Sequence, residues 1–209
     1  MIGQPDSRAM AKRRFLLALF VGWLGIGSAG GGTPRDGDII FHTSRSAQSV
    51  AIQRATHSPY SHVGVIIFRD GKPYVFEAIS TVQYTPLSKW TARGESGRFV
   101  VKRLKRALTE TETSKLRAAA RVYEGKPYDL YFEWSDQRIY CSELVWKIYQ
   151  RALGVKLGEL QKLRDFDLTD TGVRAKMRER YGTNVPLDEP VISPGAQFDS
   201  PLLETVEKR

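Results

Sequence analysis

One cysteine, Cys141, is present in 209 residues, so an internal disulfide framework is excluded. Three roles remain open for it: a buried small apolar side chain, half of an intermolecular bridge, or a reactive thiol. Histidine is scarce too, with only His42, His57 and His62, and no close Cys or His pair has zinc-ligand spacing. No phosphate loop or ligand cluster appears, so no metal, nucleotide or organic cofactor is expected. Negative charge is in deficit, the formal net charge being +9. Arg8, Lys12, Arg13 and Arg14 against the single Asp6 place part of that excess at the N-terminus, and no nucleic-acid-binding motif accompanies the rest. The densest basic run, Lys102, Arg103, Lys105 and Arg106, reads as a solvated edge or face of a strand.

No apolar run is long enough to cross a bilayer comfortably. The longest, Phe15 to Ile26, is apolar or Gly throughout and is preceded by Lys12-Arg13-Arg14 and followed by Gly27-Ser28-Ala29. A basic flank, a short apolar stretch and small residues at its end form a secretory signal pattern. A buried core helix fits less well, because Gly22, Gly25 and Gly27 would each cost about 1 kcal/mol relative to Ala. Residues 1–29 are therefore expected to be a signal peptide or N-terminal anchor. Residues 30–36 would be a linker and 37–209 one domain, exported to a bacterial periplasm or cell envelope, with any membrane association through residues 12–29.

Within that domain, Ile39 to Phe41 reads as a short strand, followed by a helix ending near Thr56. The Val- and Ile-rich segment His62 to Phe68 and the segment Pro73 to Ile79 flank Asp70-Gly71, a pair suited to a type I′ hairpin turn. Arg98 to Leu104 is a third strand. Thr109 to Glu112 opens a helix ended by Gly125 and Pro127. Leu144, Val145, Ile148, Tyr149 and Ala152 recur at helical spacing from Tyr140 to Leu153, with Gly154 as the stop. Thr169 or Asp170 caps a further helix to Tyr181, and the proline-punctuated remainder reads as an extended, irregular tail.

An even hairpin loop centred on Asp70-Gly71 sets Gly64 opposite Glu77 and places His62 and Glu77 on one face as diagonal neighbours. A long carboxylate side chain can then reach the imidazole across a glycine. Glu77 stands among apolar neighbours and needs a partner. His57 lies in a polar turn and His42 has no matching acid, so His62 is the preferred base. Cys141 falls in the first turn of an amphipathic helix, where unpaired amides favour a thiolate. The chemistry suggested is attack by Cys141 on a carbonyl, proton transfer by His62, and Glu77 orienting the ring. The backbone N–H of Cys141 and the Tyr128 phenol are candidate oxyanion donors, and Tyr140 and Ser61, beside the nucleophile and base, are further substrate-site candidates. Ser142 lies outside any serine-hydrolase elbow.

The strings Tyr60-Ser61-His62-Val63-Gly64, Phe76-Glu77-Ala78 and Tyr140-Cys141-Ser142-Glu143-Leu144-Val145 resemble those of permuted NlpC-type cysteine hydrolases of the YiiX- and YaeF-like group. That resemblance implies an α+β, circularly permuted papain-like fold: an antiparallel sheet or small barrel packed against a helix with the nucleophilic Cys at its N-terminus. Gly125-Lys126-Pro127-Tyr128 resembles the segment carrying the superfamily's active-site tyrosine, although Asp129-Leu130-Tyr131 replaces the usual glycines. The activity implied is amide hydrolysis, on a peptidoglycan peptide or an acylated small molecule. Two alternatives stay open. One is an acyltransferase or phospholipase of the lecithin retinol acyltransferase-like type, which a long apolar groove would favour; the other is a non-catalytic envelope binding module.

Overall fold

The protein is described by a computed structural model covering residues 32–209, so the expected export segment lies outside the described residues. Six strands form one antiparallel sheet: β1 (Ile39–His42), β2 (His62–Arg69), β3 (Lys72–Ala78), β4 (Val82–Pro86), β5 (Val100–Leu104) and β8 (Leu203–Lys208), in the order β4-β3-β2-β1-β5-β8, while β6 (Gln161–Lys162) and β7 (Pro190–Val191) pair in a second, two-stranded sheet. The hairpin of β2 and β3 has the expected even register, pairing Val65 with Phe76 and Arg69 with Lys72. Asp70 and Gly71 both take positive φ, 49° and 72°, as a type I′ turn requires.

Alternation along these strands gives the sheet two apolar faces. Phe41, Val63, Val65 and Phe76 pack with Leu116 of α3 (Glu110–Arg121) and with Leu144 and Ile148 of α4 (Cys141–Leu153). Ile40, Ile66, Val75 and Val101 form the opposite cluster with Trp90 of α2 (Leu87–Ala92). The helix signals read from the sequence hold at Thr109, which forms a reciprocal capping box with Glu112, and at Gly154, which closes α4 in the left-handed region at φ 68°, whereas α3 ends at Arg121, ahead of Gly125. Two further helices, α1 (Ala47–Thr56) and α5 (Thr171–Tyr181), contact each other, with Asp170 capping α5.

Three expectations are corrected. The tail is not wholly irregular, because its end is β8, hydrogen-bonded along β5. That pairing turns β5 into an interior strand, so its basic run is not a solvated edge. Lys102 is buried, donates to the Phe198 carbonyl and sits 4.1 Å over the Phe198 ring, while Arg103 forms a two-bond fork with the fully buried Asp38. Residues 32–36, expected as a linker, are bonded into the fold. Gly32 N–H donates to the Val206 carbonyl at 3.1 Å, and Asp36 accepts the Phe68 N–H and pairs with Arg117.

Candidate active site

His62 opens β2, and Glu77 lies near the end of β3, one residue beyond the ladder pair Val65 and Phe76. His62 Nε2 and Glu77 Oε2 are 2.6 Å apart. Gly64 permits this approach: a Cβ there would come within 2.4 Å of Val75 Cγ1 and 3.0 Å of the Phe76 carbonyl oxygen.

Glu77 is wholly buried, and its carboxylate is satisfied on every side. Besides His62, it accepts from Thr85 Oγ1 at 2.6 Å, Trp90 Nε1 at 2.9 Å and the Arg93 guanidinium. Burial opposes ionisation, but the His62 and Thr85 bonds and the Arg93 charge outweigh it and hold the carboxyl down at about 2. Sequence reasoning required a partner for this acid and found His62. It missed Thr85, Trp90 and Arg93, which β4 and α2 bring over the sheet. The signal available was the same one: a fully buried carboxylate needs more than one donor.

Cys141 is the first residue of α4, with Tyr140 at its N-cap. Burial opposes a charge on His62, yet the neighbouring Cys141 and the bonded Glu77 prevail and raise it to about 9. The imidazole thus stands between the sulfur and the carboxylate and is held protonated through neutral pH. His42, its partner across the β1–β2 ladder, behaves in the opposite way. Burial, followed by the charges of His62 and Arg93, pushes it down to about 3. It stacks on Trp90 with ring centroids 4.0 Å apart, and its Nδ1 finds no hydrogen-bond partner among the described residues.

The three expected substrate-site side chains are placed differently. Tyr128 accepts a hydrogen bond from Gln48 Nε2 at 3.1 Å. Burial, reinforced by Cys141, raises it far above an ordinary phenol, so it keeps its proton and can donate it. Tyr140 lines the site with its ring, but its hydroxyl accepts the Ile192 N–H at 3.1 Å and fixes the backbone there. Ser61 is buried and bonded to the Ser44 N–H and Ser49 Oγ, tying the approach to α1 onto β2. Neither hydroxyl stands free toward Cys141.

Two pockets meet at Gln48, Ile52 and Tyr128, which line both. One reaches Cys141 and is walled mainly by apolar side chains of α1, α5 and the segments 163–168 and 191–194, Ile52, Phe166, Met177 and Ile192 among them. The other is more polar and is lined by Ser44, Ser61, His42, His62 and Arg93.

A cysteine at a helix start, close to a carboxylate-paired strand imidazole that precedes it in the chain, defines a papain-like cysteine hydrolase whose halves have exchanged order. The chain belongs to the C92 family of permuted papain-like amidase enzymes, YaeF/YiiX, whose model matches residues 33–207. It is 57% identical over 175 residues to the Escherichia coli (strain K12) protein YiiX, described as uncharacterized, covering 84% of this chain and 87% of that one. A crystal structure described as the metalloprotein yiiX from Escherichia coli O157:H7 superposes with a TM-score of 0.83 at 57% identity, over 84% of this chain and 98% of that one. The protein is therefore a hydrolase of the cysteine amidase and peptidase type.

Proposed function

We propose that the protein cleaves an amide bond of an acylated small molecule, with Cys141 as nucleophile, His62 as acid and base, and Glu77 orienting the ring. The observation that carries this reading is the bond between His62 and the wholly buried Glu77, close to a Cys141 that lines an apolar pocket holding no carboxylate.

In the forward step the Cys141 sulfur bonds to the amide carbon and the carbonyl electrons move to oxygen. The Cys141 N–H at the helix start and the Tyr128 phenol are the donors offered to that oxygen. Collapse breaks the C–N bond, and the His62 proton leaves on the amine. Water, deprotonated by the now neutral His62, then attacks the thioester, releasing the acid and restoring the thiolate and imidazolium. Glu77 stays ionised throughout and steadies the charged ring.

The apolar pocket also supports a second reading, transfer of the acyl group to an amine or alcohol in place of water. The ratio of free acid to transferred product in the presence of a primary amine separates the two. The Escherichia coli O157:H7 relative is described as a metalloprotein. Among the described residues of this chain no three His, Cys, Asp or Glu side chains converge to hold an ion, and no step is routed through one. Export is supported by Lys12-Arg13-Arg14 ahead of the apolar run.

The test is alkylation of the purified full-length protein with iodoacetamide from pH 5 to 9, beside His62→Ala. Fast labelling of Cys141 near pH 6 that is lost in the variant is expected. Labelling at the rate of an ordinary thiol, indifferent to His62, would overturn the catalytic assignment and leave a binding module as the better reading.

A further inference from the structure

The apolar pocket beside Cys141 carries charge of one sign only. Its charged lining residues are Lys176 and Arg180, and among the described residues no carboxylate lines it. The two cations lie four residues apart on α5, so they project from one face of the helix over one side of the pocket. Their circumstances differ. Lys176 is paired with Glu179 at 2.5 Å. Arg180 forms no ion pair among the described residues; its guanidinium lies 4.8 Å from the centroid of the Phe132 ring, itself a wall of the pocket. A cation placed over an aromatic face is oriented by the ring while its N–H fork stays available to an incoming acceptor.

Arg54, Arg106, Arg117 and Arg151 are paired with acids, and the other described arginines without an ion pair, Arg45, Arg69, Arg174 and Arg178 among them, are exposed. An unpaired, half-buried guanidinium at an apolar pocket that holds no acid is complementary to an amphiphile with one anionic group.

Resting on the amidase reading above, we propose that the substrate is an anionic acyl amide, its apolar part in the pocket of α1 and α5 and its carboxylate or phosphate held by Arg180, with Lys176 as the second cation. A fork of two N–H donors suits both anions, so the shared chemistry is a planar or tetrahedral oxyanion on a short acyl amide.

The test uses three probes below their micellar concentrations: N-decanoylglycine, N-decanoyl-phosphoethanolamine and the uncharged N-decanoylethanolamine. Binding is measured by calorimetry to the full-length Cys141→Ala protein, which holds the probes without turnover. At least one anionic probe is expected to bind about tenfold or more tightly than the neutral one, and which of the two does so identifies carboxylate or phosphate. Adding Arg180→Gln should abolish that preference. Adding Arg178→Gln, an exposed cation of the same helix that does not line the pocket, should leave it intact.

Equal affinity for all three probes, no binding of any, or an equal loss in both arginine variants would overturn the proposal. Turnover by the wild-type protein separates this from the amidase reading. Cleavage of the neutral and anionic amides at equal rates would sustain amide hydrolysis and sink the anion preference, whereas binding preference without any turnover would do the reverse.

Discussion

The last residue of β1 and the first of β2 are both histidines, they face each other across the ladder, and their rings are 5.2 Å apart, yet their surroundings drive them to opposite charge states. His42 meets the face of Trp90 and an unsatisfied Nδ1, and is pushed down to about 3. His62 meets Glu77 on one side and Cys141 on the other, and is raised to about 9. Burial lowers both; the difference lies in what each nitrogen finds. A neighbouring charge also couples them, because the His62 cation is one of the causes that keep His42 neutral. Two buried glutamates repeat the lesson. Glu77, with four donors, is held down at about 2, whereas Glu143, with Lys147 at 2.6 Å and only a long contact to the Tyr140 N–H, is raised by burial to about 8.

The largest effect should come from treating the two histidines alike. His62→Ala is expected to lower Cys141 alkylation at pH 6 and amide turnover by about 10²- to 10⁴-fold, the range for a lost general acid and base. His42→Phe keeps a ring on Trp90 and should retain most of the alkylation rate. Comparable losses in both variants, measured side by side, would break the contrast. Glu77→Ala comes next and acts on stability as well. It strands Arg93, Trp90 and the His62 cation together, and about 3–5 kcal/mol of unfolding free energy should be lost in urea titrations at pH 7.

The two histidines should also tilt stability in opposite directions with pH. His62 is raised from 6.5 to about 9, so its contribution is full below 6.5 and is lost as pH rises through about 9. His42 is lowered from 6.5 to about 3, so the native state refuses a proton that the unfolded chain accepts, and stability falls as pH drops from 6.5 toward 3. Glu77 adds a second loss on the acid side, present above 4.5 and gone as pH falls through about 2. His42→Phe should therefore flatten the decline that begins near 6.5 and leave the one below 4.5, while His62→Gln should flatten the alkaline limb. Urea midpoints from pH 3 to 10 read both; an acid limb unchanged in His42→Phe would refute the neutral buried state.

Much of this is legible in the sequence alone. Asp70-Gly71 fixes the hairpin register, and the register brings His62 and Glu77 together, because turn chemistry and side-chain alternation are local. The helix beginning at Cys141 is equally local, its apolar spacing being closed by Gly154. What escaped depends on distant pairing. α2 is six residues long, too short to show a period, yet it carries Trp90 and ends beside Arg93. β8 carries too few buried side chains to announce itself; Leu203 and Glu207 are its buried residues, and its pairing makes β5 an interior strand whose Lys102 and Arg103 are received by Phe198 and Asp38. The apolar pocket was illegible for the same reason, since α1 and α5 meet across most of the chain.

The finest test concerns how Glu77's donors divide their work, and it compares a charged donor with a neutral one. Arg93 and Thr85 both bond Glu77 Oε1, but only Arg93 brings a charge that competes with His62 for the carboxylate. Removing it in Arg93→Ala leaves the negative charge less compensated, which favours the imidazolium, so the alkaline limb of the activity profile should move to higher pH. The shift should be small, because Arg93 is 39% exposed at its side chain and water screens it. Thr85→Val keeps the shape and removes one uncharged donor from a buried site. It should cost about 1 kcal/mol in unfolding free energy while the limb stays in place. If Thr85→Val moves the limb as far as Arg93→Ala does, the carboxylate has rotated rather than changed its charge balance, and the orientation of His62 depends on the full set of donors rather than on the ion pair.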